Sequence, residues 1–379
     1  MMALLTLPGL IDAHVHLREP GATHKEDAYS GTAAALAGGV IGVLDMPNNN
    51  PPLVDGASFS RKGELFAHKA VCDFGLFLGY NGQDIIPIQE FGRRAVGLKL
   101  YLDETFGDLT TREPEALALV FEAWPGPGPI AIHAESRSIP IALTLAHRYD
   151  QRLHVCHVPH PDDLLRIDAA RQHGTQVTCE VTPHHLFLST EVVERLGAYA
   201  RMKPPLVSAA EVTLFWQRLN LVDIIASDHA PHTRAEKESA TRQVLMHDNC
   251  RGNQNLSAPP PGVPGLETTL PLLLYAMDEG RLTLERLLEL TYHAPLRIYR
   301  LEPPEDSRVE VELSEPYQLP FEGYHTRCGW SPFVGQWALG RVTRVRLRGR
   351  TVWEEGCLLV EPGYGRSLNP HWLESVPNG

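Results

Sequence analysis

Cysteine is scarce and scattered, with six in 379 residues and no Cys-x-x-Cys pair. That spacing excludes a disulfide framework and makes a reducing, cytoplasmic setting the expectation. Long apolar runs are missing too. No stretch approaches the roughly 18 residues needed to span a bilayer, so no membrane partner is expected. The opening Met1-Met2-Ala3-Leu4-Leu5 lacks a basic flank and is too short to read as a secretory signal. Positive charge is in deficit: 34 Lys and Arg stand against 46 Asp and Glu, a net charge of −12. That balance argues against a nucleic-acid partner held through its phosphates, yet leaves room for a local basic pocket around a small anion. What remains is ordinary globular composition, long enough for one large domain with a small appendage.

Eight short, nearly continuous apolar runs recur along the chain, at 8–16, 40–47, 72–78, 95–101, 129–135, 153–158, 176–181 and 222–228. Helix-compatible segments separate most of them. Among these are the Ala-rich 30–39, then 113–124, 161–174 with Gly174 as its cap, and 208–219 with Ser208 and Glu211 as a capping box. Strands apolar on both faces and alternating with helices are the pattern of parallel βα units. Eight of them point to an α/β fold, a (β/α)8 TIM-type barrel over 8–308 with its chemistry at the strand C-termini. From Val309 the runs become short and alternating, which suggests a small antiparallel β domain made of 309–379 with 1–7. Arg234 to Pro264 is long, polar and proline-rich, and it begins at the presumed active-site mouth.

The first strand ends in His14-Val15-His16. Side chains alternate along a strand, so the two histidines share a face and can grip one ion. Arg18 has the same parity. Among 18 histidines one such pair is expected by chance, so its weight comes from the rest of the chain. Lys99, His133, His157 and Asp228 lie late in, or at the ends of, strands 4, 5, 6 and 8, which a barrel would gather at one mouth. Imidazole nitrogen and carboxylate oxygen suit zinc, and a zinc pair needs a bridge. A lysine inside an apolar strand needs pairing, neutralisation or modification. For Lys99 two readings stand open: a salt bridge to a buried carboxylate, or a carbamate formed with carbon dioxide that bridges two metals. Asp228 can both hold a metal and carry a proton to a leaving nitrogen. Arg18, Asn48 and His232, on the loops, can grip a substrate carboxylate.

Several of these stretches together resemble the dihydroorotase fingerprint of the amidohydrolase superfamily. They are His14-Val15-His16-Leu17-Arg18-Glu19-Pro20-Gly21, Asp45-Met46-Pro47-Asn48, Gly97-Leu98-Lys99-Leu100-Tyr101, His133-Ala134-Glu135, Cys156-His157-Val158 and Ala226-Ser227-Asp228-His229-Ala230-Pro231-His232. Cys179 to Leu188 and Pro260 to Glu267 add to the match, and the likeness is greatest to the dihydroorotase domain of the animal-type multifunctional pyrimidine-synthesis polypeptide. The resemblance implies reversible, zinc-dependent cyclisation of N-carbamoyl-L-aspartate to L-dihydroorotate. It implies that His14, His16 and Asp228 hold one zinc and His133 and His157 the other, bridged by carboxylated Lys99. It also implies a third zinc at Cys156 and Glu180, with His133 as the shared ligand. Thr105 and Phe106 match a substrate-covering loop, and Pro261 and Gly262 match backbone beside the substrate. A homodimer and a partnership with aspartate transcarbamoylase are implied as well.

Two departures stand out. Lys203, in Met202-Lys203-Pro204-Pro205, occupies a place where close relatives carry a substrate-gripping arginine, and an insertion spans roughly Glu238 to Ala258. The rival enzymatic reading is another cyclic-amide hydrolase of the dihydropyrimidinase, hydantoinase or allantoinase type, which would share the metal cage. Arg18 and Asn48, poised for a carboxylate, favour dihydroorotate. An inactive scaffold partner of aspartate transcarbamoylase is the other alternative, and the occupied ligand positions argue against it.

Overall fold

In the computed structural model the described residues are 3–104, 109–239 and 258–372. All eight apolar runs form barrel strands. After β1 (Ala3–Leu7) the barrel is built from β2 (Leu10–Val15), β3 (Val40–Asp45), β4 (Asp73–Leu76), β5 (Leu78–Gly79), β6 (Leu98–Tyr101), β7 (Ile130–His133), β8 (Leu153–Val155), β9 (Val177–Val181) and β10 (Ile224–Ile225). Within β2–β4 and within β5–β10 each strand pairs in parallel with the next. β4 and β5 are one run interrupted at Phe77. There the Phe77 amide donates to Asp45 O (3.1 Å) and the Leu78 amide to Gly97 O (3.1 Å), so the chain passes from one neighbour to the other. The opposite seam closes through a parallel bridge of Val15 with His229, where the His16 amide donates to His229 O at 2.8 Å.

Burial explains the strand sequences. Every residue of β2, β3, β4, β6 and β7 is buried, because helices cover the outside and side chains fill the inside. Local chemistry sets the helix starts. Asp27 with Ser30 and Asp55 with Ser58 form capping boxes on Ala28–Ala37 and Gly56–Lys69, and the expected Ser208–Glu211 box opens Ala209–Gln217. The 222–228 run departs from expectation, since only Ile224 and Ile225 keep ladder geometry. Asp228 takes φ +47°, which breaks the extended backbone just where its carboxylate must turn into the mouth.

The remaining strands are β11 (Arg308–Leu313), β12 (Tyr317–Gln318), β13 (Trp337–Ala338), β14 (Arg341–Leu347), β15 (Arg350–Glu354) and β16 (Cys357–Leu358). An antiparallel sheet runs in the order β1-β11-β14-β15-β16, so the N-terminal strand lies on the edge of a sheet made by the C-terminal segment. Its inner residues Leu7, Val309, Val311 and Val345 join the same apolar cluster as Leu36 and Val40 of the barrel side. A second cluster packs Cys328, Trp330 and Phe333, from the connection between β12 and β13, on Met202, Leu206 and Val263. That connection reaches the active-site loops, where Trp330 Nε1 donates to His232 O at 2.8 Å.

Candidate metal centre

His14 and His16, near the end of β2, both face the barrel mouth and meet Asp228 from across the closing seam. Asp228 Oδ1 lies 3.3 Å from His14 Nε2 and 3.1 Å from His16 Nε2, and one donor atom from each of the three residues falls within 4.8 Å of the others. The outer nitrogen of each ring is held separately. His14 Nδ1 is 2.5 Å from Glu180 Oε1, and His16 Nδ1 is 2.7 Å from Asn48 Oδ1. An oxygen on the outer nitrogen fixes the ring and leaves the inner nitrogen's lone pair for a cation, the arrangement that metal-binding histidines need. His133 Nδ1 and His157 Nε2 face each other at 2.9 Å beside this group, while His157 Nδ1 is buried with no hydrogen-bond partner among the described residues. Arg18 (φ +62°), His157 (φ +32°) and Asp228 (φ +47°) all adopt left-handed backbone, uncommon for side chains of this size. Three such residues at one mouth mark a place where side-chain direction outweighs backbone preference.

Lys99 is buried on β6 with its Nζ 2.9 Å from Cys156 Sγ and 5.5 Å from the centre of the Tyr101 ring. Among the described residues no carboxylate oxygen lies within 4.0 Å of it, so the salt-bridge reading has no support there. Cys156 and Glu180 group with His14, not with His133 as expected, because Glu180 reaches inward from β9 to the His14 ring. Glu180 also accepts from the His157 amide (3.2 Å) and contacts His154 Nε2 (3.1 Å), so with His14 it braces three histidine positions at once.

Electrostatics fit a cation. Burial opposes ionisation of Asp228, but His14 and His16 outweigh it and hold the carboxyl well below its usual range. Glu180 is held low against burial by His14 and His154. Burial and Lys99 work against protonating His14, yet Asp228 and Glu180 raise its pKa to about 10. Burial lowers His16 to about 4 and His133 to about 3, so both rings are neutral at ordinary pH and carry a lone pair. Two anions, several neutral imidazoles and one imidazolium whose proton a metal would displace form a donor set suited to zinc.

A small cavity opens above this cluster. Beyond the cluster it is lined by Arg18, Asn48, Tyr101, Lys203, Pro261 and Gly262. Lys203 Nζ donates to Glu104 O at 2.7 Å. Gly262 has φ +130°, and a Cβ there would meet Ala230 O at 2.5 Å, so only glycine lets the backbone approach this closely. His232 sits just behind the wall, its Nε2 2.9 Å from Pro261 O and 3.3 Å from an Arg18 nitrogen. Thr105 and Phe106 lie outside the described residues, as does most of the Glu238–Ala258 insertion. Tyr101 was given no role by sequence reasoning, although it is two residues from Lys99 on one strand and so shares its face. Lys25 and Glu236, which contact His232, carry no sequence signal of their own.

Residues 5–301 match the model of the amidohydrolase family. The chain is 44% identical over 377 residues to the multifunctional protein CAD of Squalus acanthias, covering 99% of this chain but 16% of that protein. It is 33% identical over 417 residues to the dihydroorotase of Methanosarcina mazei, covering 96% of this chain and 87% of that one. Among solved structures it is similar to the L-hydantoinase (dihydropyrimidinase) from Arthrobacter aurescens, at TM-score 0.87 and 25% identity over 96% of this chain and 88% of that one. With a barrel closed around a histidine–aspartate cluster and relatives that match it nearly end to end, the chain belongs to the amidohydrolase family, on its dihydroorotase branch.

Proposed function

We propose that this chain is a dihydroorotase, interconverting N-carbamoyl-L-aspartate and L-dihydroorotate in de novo pyrimidine biosynthesis. The observation that carries the reading is a metal-type cluster and a carboxylate-type clamp, Arg18 with Asn48, in one small cavity. His14, His16 and Asp228 would hold one zinc and His133 and His157 a second, with Lys99, carboxylated by carbon dioxide, as a further anionic ligand to the pair. The carbamate is supported by a buried lysine whose described surroundings offer sulfur and an aromatic ring but no carboxylate. Cys156 and Glu180, with His14, are the donors for a third zinc. When bound, the metal pair polarises the amide carbonyl and makes water a nucleophile near neutral pH.

The chain's own residues do the rest. Arg18 and Asn48 hold the ring carboxylate, joined by Lys203 and by His232 from behind the wall. The backbone of Pro261 and Gly262 lies along the ring. Thr105 and Phe106 are assigned to covering the bound substrate. In the hydrolytic direction Asp228 takes the proton of the attacking water and delivers it to the ring nitrogen as the carbon–nitrogen bond breaks. In the other direction cyclisation expels water and takes up one proton, since the open chain has two carboxylates and the ring has one.

Likeness to one segment of a multifunctional protein supports operation beside aspartate transcarbamoylase, the kind of enzyme whose chemistry makes carbamoyl aspartate. A homodimer and a cytoplasmic location complete the reading. No described helix is long and apolar enough to cross a membrane.

The test is paired: zinc per chain by elemental analysis, and ultraviolet absorbance change with L-dihydroorotate on the same sample. Two or three zincs with turnover are expected. Metal with faster turnover of hydantoin or dihydrouracil, which lack the carboxylate, would move the chain to the rival cyclic amides. Neither metal nor turnover would overturn the reading.

A further inference from the structure

Lys25 is a buried lysine that the proposed mechanism leaves unused. It sits on the loop after β2, away from the metal cluster, and lines a second cavity beside the catalytic one together with Glu236, His24 and Asn49. Its Nζ lies 3.2 Å from His232 Nδ1 and 3.0 Å from Glu236 Oε1. An ammonium only donates, so the lone pair in that contact belongs to Nδ1. A neutral imidazole then carries its single proton on Nε2, and Nε2 faces the catalytic side, 2.9 Å from the accepting carbonyl of Pro261. The other contact at Nε2, an Arg18 nitrogen at 3.3 Å, is a donor facing a donor, so that guanidinium N–H is not satisfied by the ring. Burial, helped by Arg18, Lys25 and Lys237, keeps the imidazole neutral with a pKa of about 3, although Glu236 pulls the other way.

We propose that Lys25 is a positioning residue that sets the tautomer of His232, so that the one Nε2–H, shared with Pro261 O, is offered beside Arg18 to the carboxylate of the substrate. The inference rests on the dihydroorotase reading for its substrate, but not for the tautomer itself. Glu236 supplies the alternative state. Its Oε2 is 3.8 Å from Nδ1 and can take the ammonium's place as that atom's partner. A carboxylate there accepts a hydrogen bond from a protonated Nδ1, which leaves Nε2 with only its lone pair. Such a ring would accept from Arg18 and repel a substrate carboxylate. Glu236 is itself anchored by the Thr233 amide (3.0 Å) and hydroxyl (3.1 Å), so it keeps its place when Lys25 is replaced.

The experiment is a long-range proton–nitrogen correlation on zinc-loaded, histidine-labelled protein, with the His232 signal identified by its loss in His232→Asn. The expected result in wild type is a protonated Nε2 and a bare Nδ1; a protonated Nδ1 would overturn the inference. In Lys25→Met the proton is expected to move to Nδ1. KM for dihydroorotate is expected to rise roughly tenfold or more, as for a lost hydrogen bond to a charged group, while kcat stays within about threefold. An unchanged KM, or an unchanged tautomer in that variant, would also overturn it. If Lys25→Met fails to fold, a protonated Nδ1 in the wild-type spectrum would still overturn the inference, and Lys25→Gln repeats the test of the lysine's part. Absence of dihydroorotate turnover in wild type would sink the substrate reading and leave the tautomer result standing.

Discussion

At Lys203 a single side chain changes the character of the carboxylate clamp. Arg18 brings a planar fork whose pKa burial lowers to about 10, while Lys203 brings a point charge turned to the Glu104 carbonyl at 2.7 Å. A fork grips a carboxylate through two parallel hydrogen bonds and a point charge does not. Lys203→Arg is therefore expected to tighten dihydroorotate binding by roughly threefold to tenfold, read as apparent affinity in a titration against wild type. Equal affinities would remove Lys203 from the site. Single residues differed in how well the sequence exposed them. His14, His16 and Arg18 follow from strand parity, and Lys99 from the oddity of a charge in an apolar run. Lys25 was invisible, because its meaning comes from His232 and Glu236, over two hundred residues away. The grouping of Cys156 and Glu180 with His14 was hidden for the same reason: which ring a buried glutamate reaches is a matter of packing, not of spacing.

Among the elements, strands apolar on both faces are legible because burial leaves them no alternation, and β2 to β10 fall where the runs fall. Their last residues are less legible. β10 stops at Ile225 because Asp228 adopts positive φ, a choice dictated by where its carboxylate is needed. The connection between β12 and β13 could not be placed from sequence, since its packing of Trp330 behind His232 is a long-range contact. Gly262 shows how narrowly one loop is fitted. It combines φ +130° with a Cβ position 2.5 Å from Ala230 O, and its amide donates to Arg201 O at 3.0 Å. Gly262→Ala must strain the backbone or push the loop outward, at a cost of about 1–3 kcal/mol. A lower Tm together with a raised KM is expected; a variant matching wild type in both would mean that the loop has slack the geometry does not suggest.

For the whole molecule, Glu267 ties the barrel to the C-terminal segment by accepting from the amides of His325 and Thr326, each at 2.9 Å. Burial raises its pKa to about 7 against those two hydrogen bonds, with Glu26 adding to the rise. An unfolded glutamate titrates near 4.3. Between those values the folded chain binds more protons than the unfolded one, so this group's contribution is complete below the lower value and is lost as pH rises through about 7. Glu267→Gln removes the titration. Tm of the zinc-loaded variant, measured from pH 5 to 8, is expected to fall less steeply toward pH 8 than that of wild type; parallel curves would contradict the assignment.

The closing seam has a consequence for the order in which the molecule is made. Val15 pairs with His229, and the cluster straddles that junction with His14 and His16 on one bank and Asp228 on the other. A ribosome releases both histidines more than two hundred residues before it adds the aspartate, so a growing chain carries half a chelate for most of its synthesis. On the proposed metal reading, an ion would find its full set of donors only once the final strand has come round to the first, and an occupied site would report that the ring of strands has been joined.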